Sequence, residues 1–211
     1  MKDNYTEIVV VLDRSGSMAS IWGDAMGGLA AFIKDQQKES GECKLTLVAF
    51  DNEYEVPINA QSIKNVGKLV DYQLTPRGST ALLDALGKSI NATGKRLADM
   101  AEKNRPSKVI FLIITDGQEN CSREFTNAQI ETMIKKQTDE FSWDFLYQGA
   151  NQDSFSVAGS IGIRSGAIMN YAATTKGVQS SYLAASAAVS RGRAAPRDET
   201  QFTEEERDNA K

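Results

Sequence analysis

The sequence contains no histidine, and that absence removes more candidate functions than any other feature of its composition. Ser-His-Asp and Cys-His catalytic arrangements need an imidazole to carry the proton, so neither is available. Zinc and iron sites built on imidazole are excluded too. The two cysteines, Cys43 and Cys121, are too few to complete a structural zinc site. Any metal must be held mainly by oxygen. The same two cysteines make one disulfide at most. The N-terminus lacks the layout of an export signal, with its basic start, long apolar region and small-residue cleavage site. Both thiols are therefore expected to be reduced, in a cytoplasmic protein.

Long apolar runs are missing as well. The longest unbroken aliphatic or aromatic stretch covers residues 109–114, far short of a membrane span. Positive charge is not in excess: the net charge is -4, and the basic clusters are Lys135-Lys136 and the Arg191/Arg193 pair. Such pairs read as solvated helix faces, and a phosphate backbone asks for a broader basic surface. Neither nucleic acid nor membrane is expected as a partner. What remains is a chain of 211 residues, 41% hydrophobic and 25% charged. That is the balance of a soluble globular protein, long enough to bury its core without cross-links.

Apolar runs of strand length alternate with helical stretches, the pattern of an α/β fold. Six strands are expected, at 7–12, 44–50, 54–59, 108–115, 143–149 and 167–171. Val9, Val10 and Val11, then the run from Ile110 to Ile114, are continuous and suit central parallel strands covered on both faces. The 54–59 strand contains Pro57, which lacks a ladder donor, and is placed at an edge. Residues 18–38 set Trp22, Ala25, Met26, Leu29, Phe32 and Ile33 at helical spacing. Residues 80–104 do the same with Leu83, Leu86, Ile90 and Leu97. Thr126 and Gln129 read as a capping box opening a further helix. Short and alanine-rich helices are expected at 151–161 and 175–193. The fold class is thus a Rossmann-like, doubly wound, mostly parallel six-stranded sheet with helices on both faces, spanning residues 1–193. Residues 194–211 carry six acidic side chains and a single large apolar one, Phe202, and read as an acidic, flexible tail. Within it, Thr203-x-x-Glu206 would start a short helix if a surface stabilised it.

Three polar elements stand out. DRSGS, at residues 13–17, follows the first central strand directly and puts a carboxylate and two hydroxyls on one tight turn. Thr115-Asp116-Gly117 follows the other strongly buried strand. LTPRGST, at residues 74–80, leads into a long helix. In an open α/β sheet, ligands bind beyond the carboxyl ends of the strands where the winding reverses. If those two strands are neighbours, Asp13 and Asp116 meet at one rim, and Ser15, Ser17 and Thr80 join them. Two carboxylates and three hydroxyls are hard oxygen donors, suited to magnesium, manganese or calcium.

DRSGS resembles the Asp-x-Ser-x-Ser signature of the metal-ion-dependent adhesion site of von Willebrand factor A domains. LTPRGSTALLDA is similar to that family's second element, with Pro76, Gly78, Thr80, Leu82 and Asp84 in place, and ITDG supplies the third. The resemblance covers roughly residues 5–193. It implies that Ser15 and Ser17 ligate a divalent cation directly, with magnesium ahead of manganese and calcium. Thr80 would do so in a ligand-engaged state, and Asp13 and Asp116 would act mainly through bound water. It also implies a partner protein that supplies a Glu or Asp to the metal, and a stand-alone intracellular domain of bacterial or phage type. Related domains act with an ATPase or in multi-protein complexes.

Taken singly, each of these residues has an ordinary reading. Ser15, Ser17 and Thr80 are good helix caps, and Asp116-Gly117 is a common turn. Asp84 reads as a first-turn carboxylate favoured by the helix dipole. Asp24, Asp51 and Asp153 read as loop or cap residues, Met18, Met26 and Met169 as core packing, and Cys121 as an incidental thiol near the rim. The expectation is a metal-dependent binding module that is not an enzyme. The alternatives are a magnesium-dependent hydrolase or phosphatase, and an assembly protein with a vestigial site. Against a phosphatase, Ser15 stands where Asp-x-Asp enzymes carry their second aspartate.

Overall fold

A computed structural model describes residues 1–150, 153–195 and 199–211. Six strands form one sheet: β1 (Lys2–Asp13), β2 (Glu42–Phe50), β3 (Tyr54–Ser62), β4 (Pro106–Thr115), β5 (Asp144–Ala150) and β6 (Ile168–Tyr171). Their order across the sheet is β3-β2-β1-β4-β5-β6, parallel except for the antiparallel β2–β3 pair. The expected edge strand with Pro57 is indeed at an edge. The central strands are covered on both faces: Ile8 to Leu12 and Ile110 to Ile114 are fully buried.

The helices are α1 (Trp22–Lys38), α2 (Leu82–Ala98), α3 (Asn127–Phe141), α4 (Ser154–Ser160), α5 (Thr175–Ala194) and α6 (Glu204–Asn209). The chain leaves β1 through α1 toward β2, and leaves β4 through α3 toward β5. Right-handed crossovers in opposite directions place α1 and α3 on opposite faces. The winding therefore reverses between β1 and β4, which is where a ligand site is expected in such a sheet. α5 returns to pack on α1, where the Tyr182 ring lies flat against Gly28.

Several local expectations appear as drawn. Thr126 and Gln129 form the capping box of α3. Met18 and Met169 are fully buried, and Met26 packs against the core. Others shift. The first helix begins as a 3₁₀ turn, Gly16–Ser20, before α1 proper. The second stops at Ala98, where Arg105 turns back to donate to the carbonyls of Ala98 (3.0 Å) and Met100 (3.0 Å). The first residues of the expected 151–161 helix lie outside the described residues; α4 opens on Asp153 as its cap. Among the described residues, no helix is long and apolar enough to cross a membrane.

The C-terminal segment departs from a solvated tail. Phe202 is buried, and Arg191 grips Glu206 with two hydrogen bonds of 2.8 and 2.9 Å. Thr203 and Glu206 form the capping box of α6. Arg207 donates to the carbonyls of Ile168, Ser165 and Gly166 beside β6, and Ala172 N–H donates to Ala210 (2.8 Å). An edge strand presents unpaired backbone groups, and α6 satisfies several of those around β6. One aromatic anchor suffices because the domain supplies the rest of the apolar surface.

Candidate metal centre

β1 closes on Asp13, whose side chain has no solvent exposure. Its Oδ2 accepts from Thr115 Oγ1 at 2.6 Å, and its Oδ1 accepts from the Ser15 N–H at 2.6 Å. β4 closes on Thr115, and the buried Asp116 follows. The two strands are direct neighbours, with Leu12 opposite Ile114, so both aspartates stand at one rim.

The serines lie on the 3₁₀ turn that leaves this rim. Ser15 occupies the cap position, yet its hydroxyl makes no capping bond among the described residues. It sits 3.0 Å from Ser17 Oγ, which in turn donates to Asp116 Oδ1 at 2.6 Å. Thr80 is not the cap of α2 either; Ala81 holds that position. Thr80 is nearly fully buried and pinned through its backbone. Its N–H donates to Asn120 Oδ1 (3.0 Å), and its carbonyl accepts from the N–H groups of Asn120 (3.0 Å) and Cys121 (3.3 Å). The capping explanation of these hydroxyls therefore does not describe their surroundings.

Gly117 marks where they converge. A Cβ added to it would lie 2.8 Å from Thr80 Oγ1, 3.2 Å from Ser17 Oγ and 3.5 Å from Ser15 Oγ. Only a residue without a side chain leaves that point open. Among the described residues, no three carboxylates or thiolates cluster in a way that would hold a metal ion. A cation here has to rest on hydroxyls beside two aspartates. Three hydroxyls around a free point, with two carboxylates hydrogen-bonded next to them, are hard oxygen donors that fit a divalent cation of the magnesium, manganese or calcium type.

The electrostatics agree with that fit. Burial pushes Asp13 up to about 6, with hydrogen bonds from Thr115 and Ser15 opposing and the nearby Asp116 adding to the rise. Burial also raises Asp116, against the hydrogen bond from Ser17. Two carboxylates that are costly to ionise together are what a cation relieves.

For other residues around the rim the sequence indicated the local position but not the partners. Asp84 does stand in the first turn of α2, but its main work is to accept the N–H groups of Arg123, Glu124 and Phe125 at 2.9 Å each. Burial raises its pKa, and these three bonds more than offset that and hold it below the usual value. Glu119 accepts from Leu83 N–H (3.0 Å), Cys121 N–H (2.9 Å), and both the N–H and hydroxyl of Ser122 (2.7 Å each). Together they tie the loop after Asp116 to the start of α2. Asp51, expected as a loop or cap residue, is fully buried between Arg14 and Arg77. Asp24 accepts from Thr175 Oγ1 at 2.8 Å, at the start of α5.

A family model for the von Willebrand factor type A domain matches residues 8–118, the stretch that carries all three polar elements. Among solved structures, the vWF domain of the type V pili tip protein Mfa5 from Porphyromonas gingivalis superposes with a TM-score of 0.66. It is 12% identical, over 92% of this chain and 97% of that one. Proximal thread matrix protein 1 from the mussel byssus gives a TM-score of 0.62 at 15% identity, over 90% of this chain and 47% of its own. A structure of that mussel protein with a zinc-occupied MIDAS motif gives 0.57 at 16% identity, over 83% and 43%. At these identities the likeness is one of fold, and the chain spans about half the length of the mussel protein. No curated protein matches the sequence.

Proposed function

Because the chain belongs to the von Willebrand factor type A domain family, we propose that it is a metal-dependent protein-binding module. Ser15, Ser17 and Thr80 hold one divalent cation through their hydroxyls, with Asp13 and Asp116 supporting it. Magnesium is the first candidate, and manganese and calcium are the alternatives. The observation that carries this reading is the free point at Gly117, ringed by three hydroxyls from two loops beside two buried carboxylates. The zinc-occupied motif of the mussel protein supports it by analogy. Neutral direct ligands leave much of the cation's charge uncompensated, so an anionic oxygen from outside is favoured in the remaining coordination position. That oxygen is a Glu or Asp of a partner protein. We further propose that the chain is not an enzyme, acts inside a bacterial or phage-infected cell, and works within a multi-protein assembly, an ATPase being one candidate.

Calorimetric titration of wild type and Asp13→Ala with magnesium, manganese and calcium tests the site. Capture from a lysate of the native host, in magnesium and in EDTA, tests the partner. Wild type should bind at least one cation and retain a partner only when that cation is present; Asp13→Ala should do neither. Equal cation binding by both proteins refutes the assignment. Magnesium-dependent phosphatase turnover that disappears in Asp13→Ala would refute the non-enzymatic part.

A further inference from the structure

Resting on the metal-site reading above, we propose that Asp51 is the positioning residue of the site. It acts through Arg14 and Arg77 to fix where the serine turn stands relative to the Thr80 loop. The two arginines lie inside the two motif stretches without being among their matched residues: Arg14 lies between Asp13 and Ser15, and Arg77 lies three residues before Thr80. Neither points at the cradle. Both turn to Asp51, which belongs to neither motif.

Asp51 follows β2 and has no solvent exposure. Its Oδ2 accepts from Arg77 Nε at 2.8 Å and lies 3.1 Å from Arg14 Nε, a charge contact not aimed as a hydrogen bond. Its Oδ1 accepts the Glu53 N–H at 2.5 Å, which tightens the β2–β3 turn. Its carbonyl accepts the Ala81 N–H at 3.1 Å, one residue beyond Thr80. The backbones of the two loops then meet directly: Arg77 N–H donates to Arg14 carbonyl (2.8 Å), and Gly16 N–H donates to Gly78 carbonyl (3.1 Å). Arg14, itself nearly fully buried, closes the frame by gripping Glu55 with two bonds of 2.9 and 2.8 Å. Arg77 reaches the same Glu55 at 3.1 Å and also pairs with Glu53. Gly78 adopts φ +68°, and a Cβ there would collide with Asn52 next to Asp51. The Thr80 loop is thus held against the 51–55 turn by both charge and close backbone approach.

A buried carboxylate hydrogen-bonded to Arg77 and Glu53 and in charge contact with Arg14 leaves those three segments little freedom to slide. Removing a group bonded directly to a metal ligand usually shifts affinity by about 10- to 100-fold; Asp51 acts one step further out, through Arg14 and Arg77, so the lower end of that range is its ceiling. Magnesium demands near-ideal octahedral geometry, whereas calcium tolerates a looser and variable shell. Loosening this frame should therefore cost magnesium more than calcium.

Titrations of wild type, Asp51→Asn, Arg77→Ala, Arg77→Lys and Glu53→Gln with magnesium, manganese and calcium, alongside melting in EDTA, test this. Asp51→Asn should weaken magnesium and manganese by up to about 10-fold and lower the magnesium-to-calcium preference. Arg77→Ala should move both quantities the same way by a smaller factor, with Arg77→Lys recovering part of the loss. Glu53→Gln, at the exposed end of the network, should match wild type. Arg77 is half-exposed, so Arg77→Ala keeps the test open if Asp51→Asn fails to fold. Unchanged affinity in folded Arg77→Ala overturns the proposal. So does an equal loss for magnesium and calcium, which would indicate a simple change of field. A wild type that binds no cation would instead overturn the metal-site reading itself.

Discussion

Replacing Gly117 with alanine adds one methyl group beside the three hydroxyls proposed to hold the cation. Its carbon would lie 2.8 Å from Thr80 Oγ1 and 3.2 Å from Ser17 Oγ. Magnesium sits about 2.0–2.1 Å from its oxygen ligands, so a methyl carbon this close to the proposed ligands is expected to crowd the ion out. The fold should tolerate the change. Gly117 is not among the positive-φ glycines, so alanine suits its backbone, and only the 2.8 Å contact with Thr80 Oγ1 has to relax. Glycine-to-alanine also removes unfolded-state freedom, a gain of about 0.4–1 kcal/mol that offsets the crowding. In EDTA the variant should melt within about 3 °C of wild type. At ten times its dissociation constant, a cation that binds only the native state stabilises wild type by about 1.4 kcal/mol. For a domain of this size that is a rise of about 3–6 °C in melting temperature. Gly117→Ala should show none of it. Gly159→Ala is the control, because a Cβ there meets nothing within 4 Å. Differential scanning calorimetry of the three proteins, with magnesium or manganese and with EDTA, reads both quantities. A full metal shift in Gly117→Ala refutes the placement of the ion, and a collapsed apo fold refutes the tolerance argument.

The raised pKa of Asp13, about 6 against 3.8, means the metal-free native state takes up this proton more readily than the unfolded chain. That contribution is fully present below pH 4 and fades as pH rises through 6, a change of about 3 kcal/mol. Asp13→Asn should therefore melt increasingly above wild type in EDTA between pH 4 and 7, while losing the metal shift; a constant gap across that range contradicts the burial argument. Neighbouring glycines in α1 should respond with opposite sign. Gly27→Ala meets open space and should stabilise by about 0.5–1 kcal/mol, whereas Gly28→Ala drives a methyl into the Tyr182 ring and should lower the melting temperature, as urea melts of both will read. Truncation after Ala194 removes buried Phe202, worth about 1.5–3 kcal/mol, and uncovers β6. Light scattering should show self-association and calorimetry a lower melting temperature; an unchanged, monodisperse protein would mean α6 contributes nothing.

The central strands were readable because burial on both faces leaves a continuous apolar run that no amphipathic helix produces. The rim followed from them, since strand ends that are neighbours must bring Asp13 and Asp116 together. Helix ends were less readable. Residues 99–104 favour a helix by composition, yet the helix closes at Ala98 in a tight turn from Met100 N–H to Leu97, with Arg105 reaching back to Ala98 and Met100. The C-terminal segment misled for a related reason. Composition asks what a segment can bury against itself, and this segment buries Phe202, just ahead of α6, against surface supplied by the rest of the domain.

Asp51 was the least readable residue of all, and the reason bears on the site. Its partners lie 37 and 26 residues away in the chain, at positions outside the motifs' matched residues, and a lone Asp-Asn pair after a strand is an ordinary turn. The proposed ligands come from short spacings, so a sequence exposes them. The charges that hold two ligand-bearing loops at a fixed separation come from side chains on three elements, so a sequence hides them. Domains with the same five proposed ligand residues can then differ in cation preference through residues that are not ligands. The Arg14–Asp51–Arg77 frame is where that difference would be set in this chain, because it ties the turn bearing Ser15 and Ser17 to the loop bearing Thr80 while touching none of their hydroxyls.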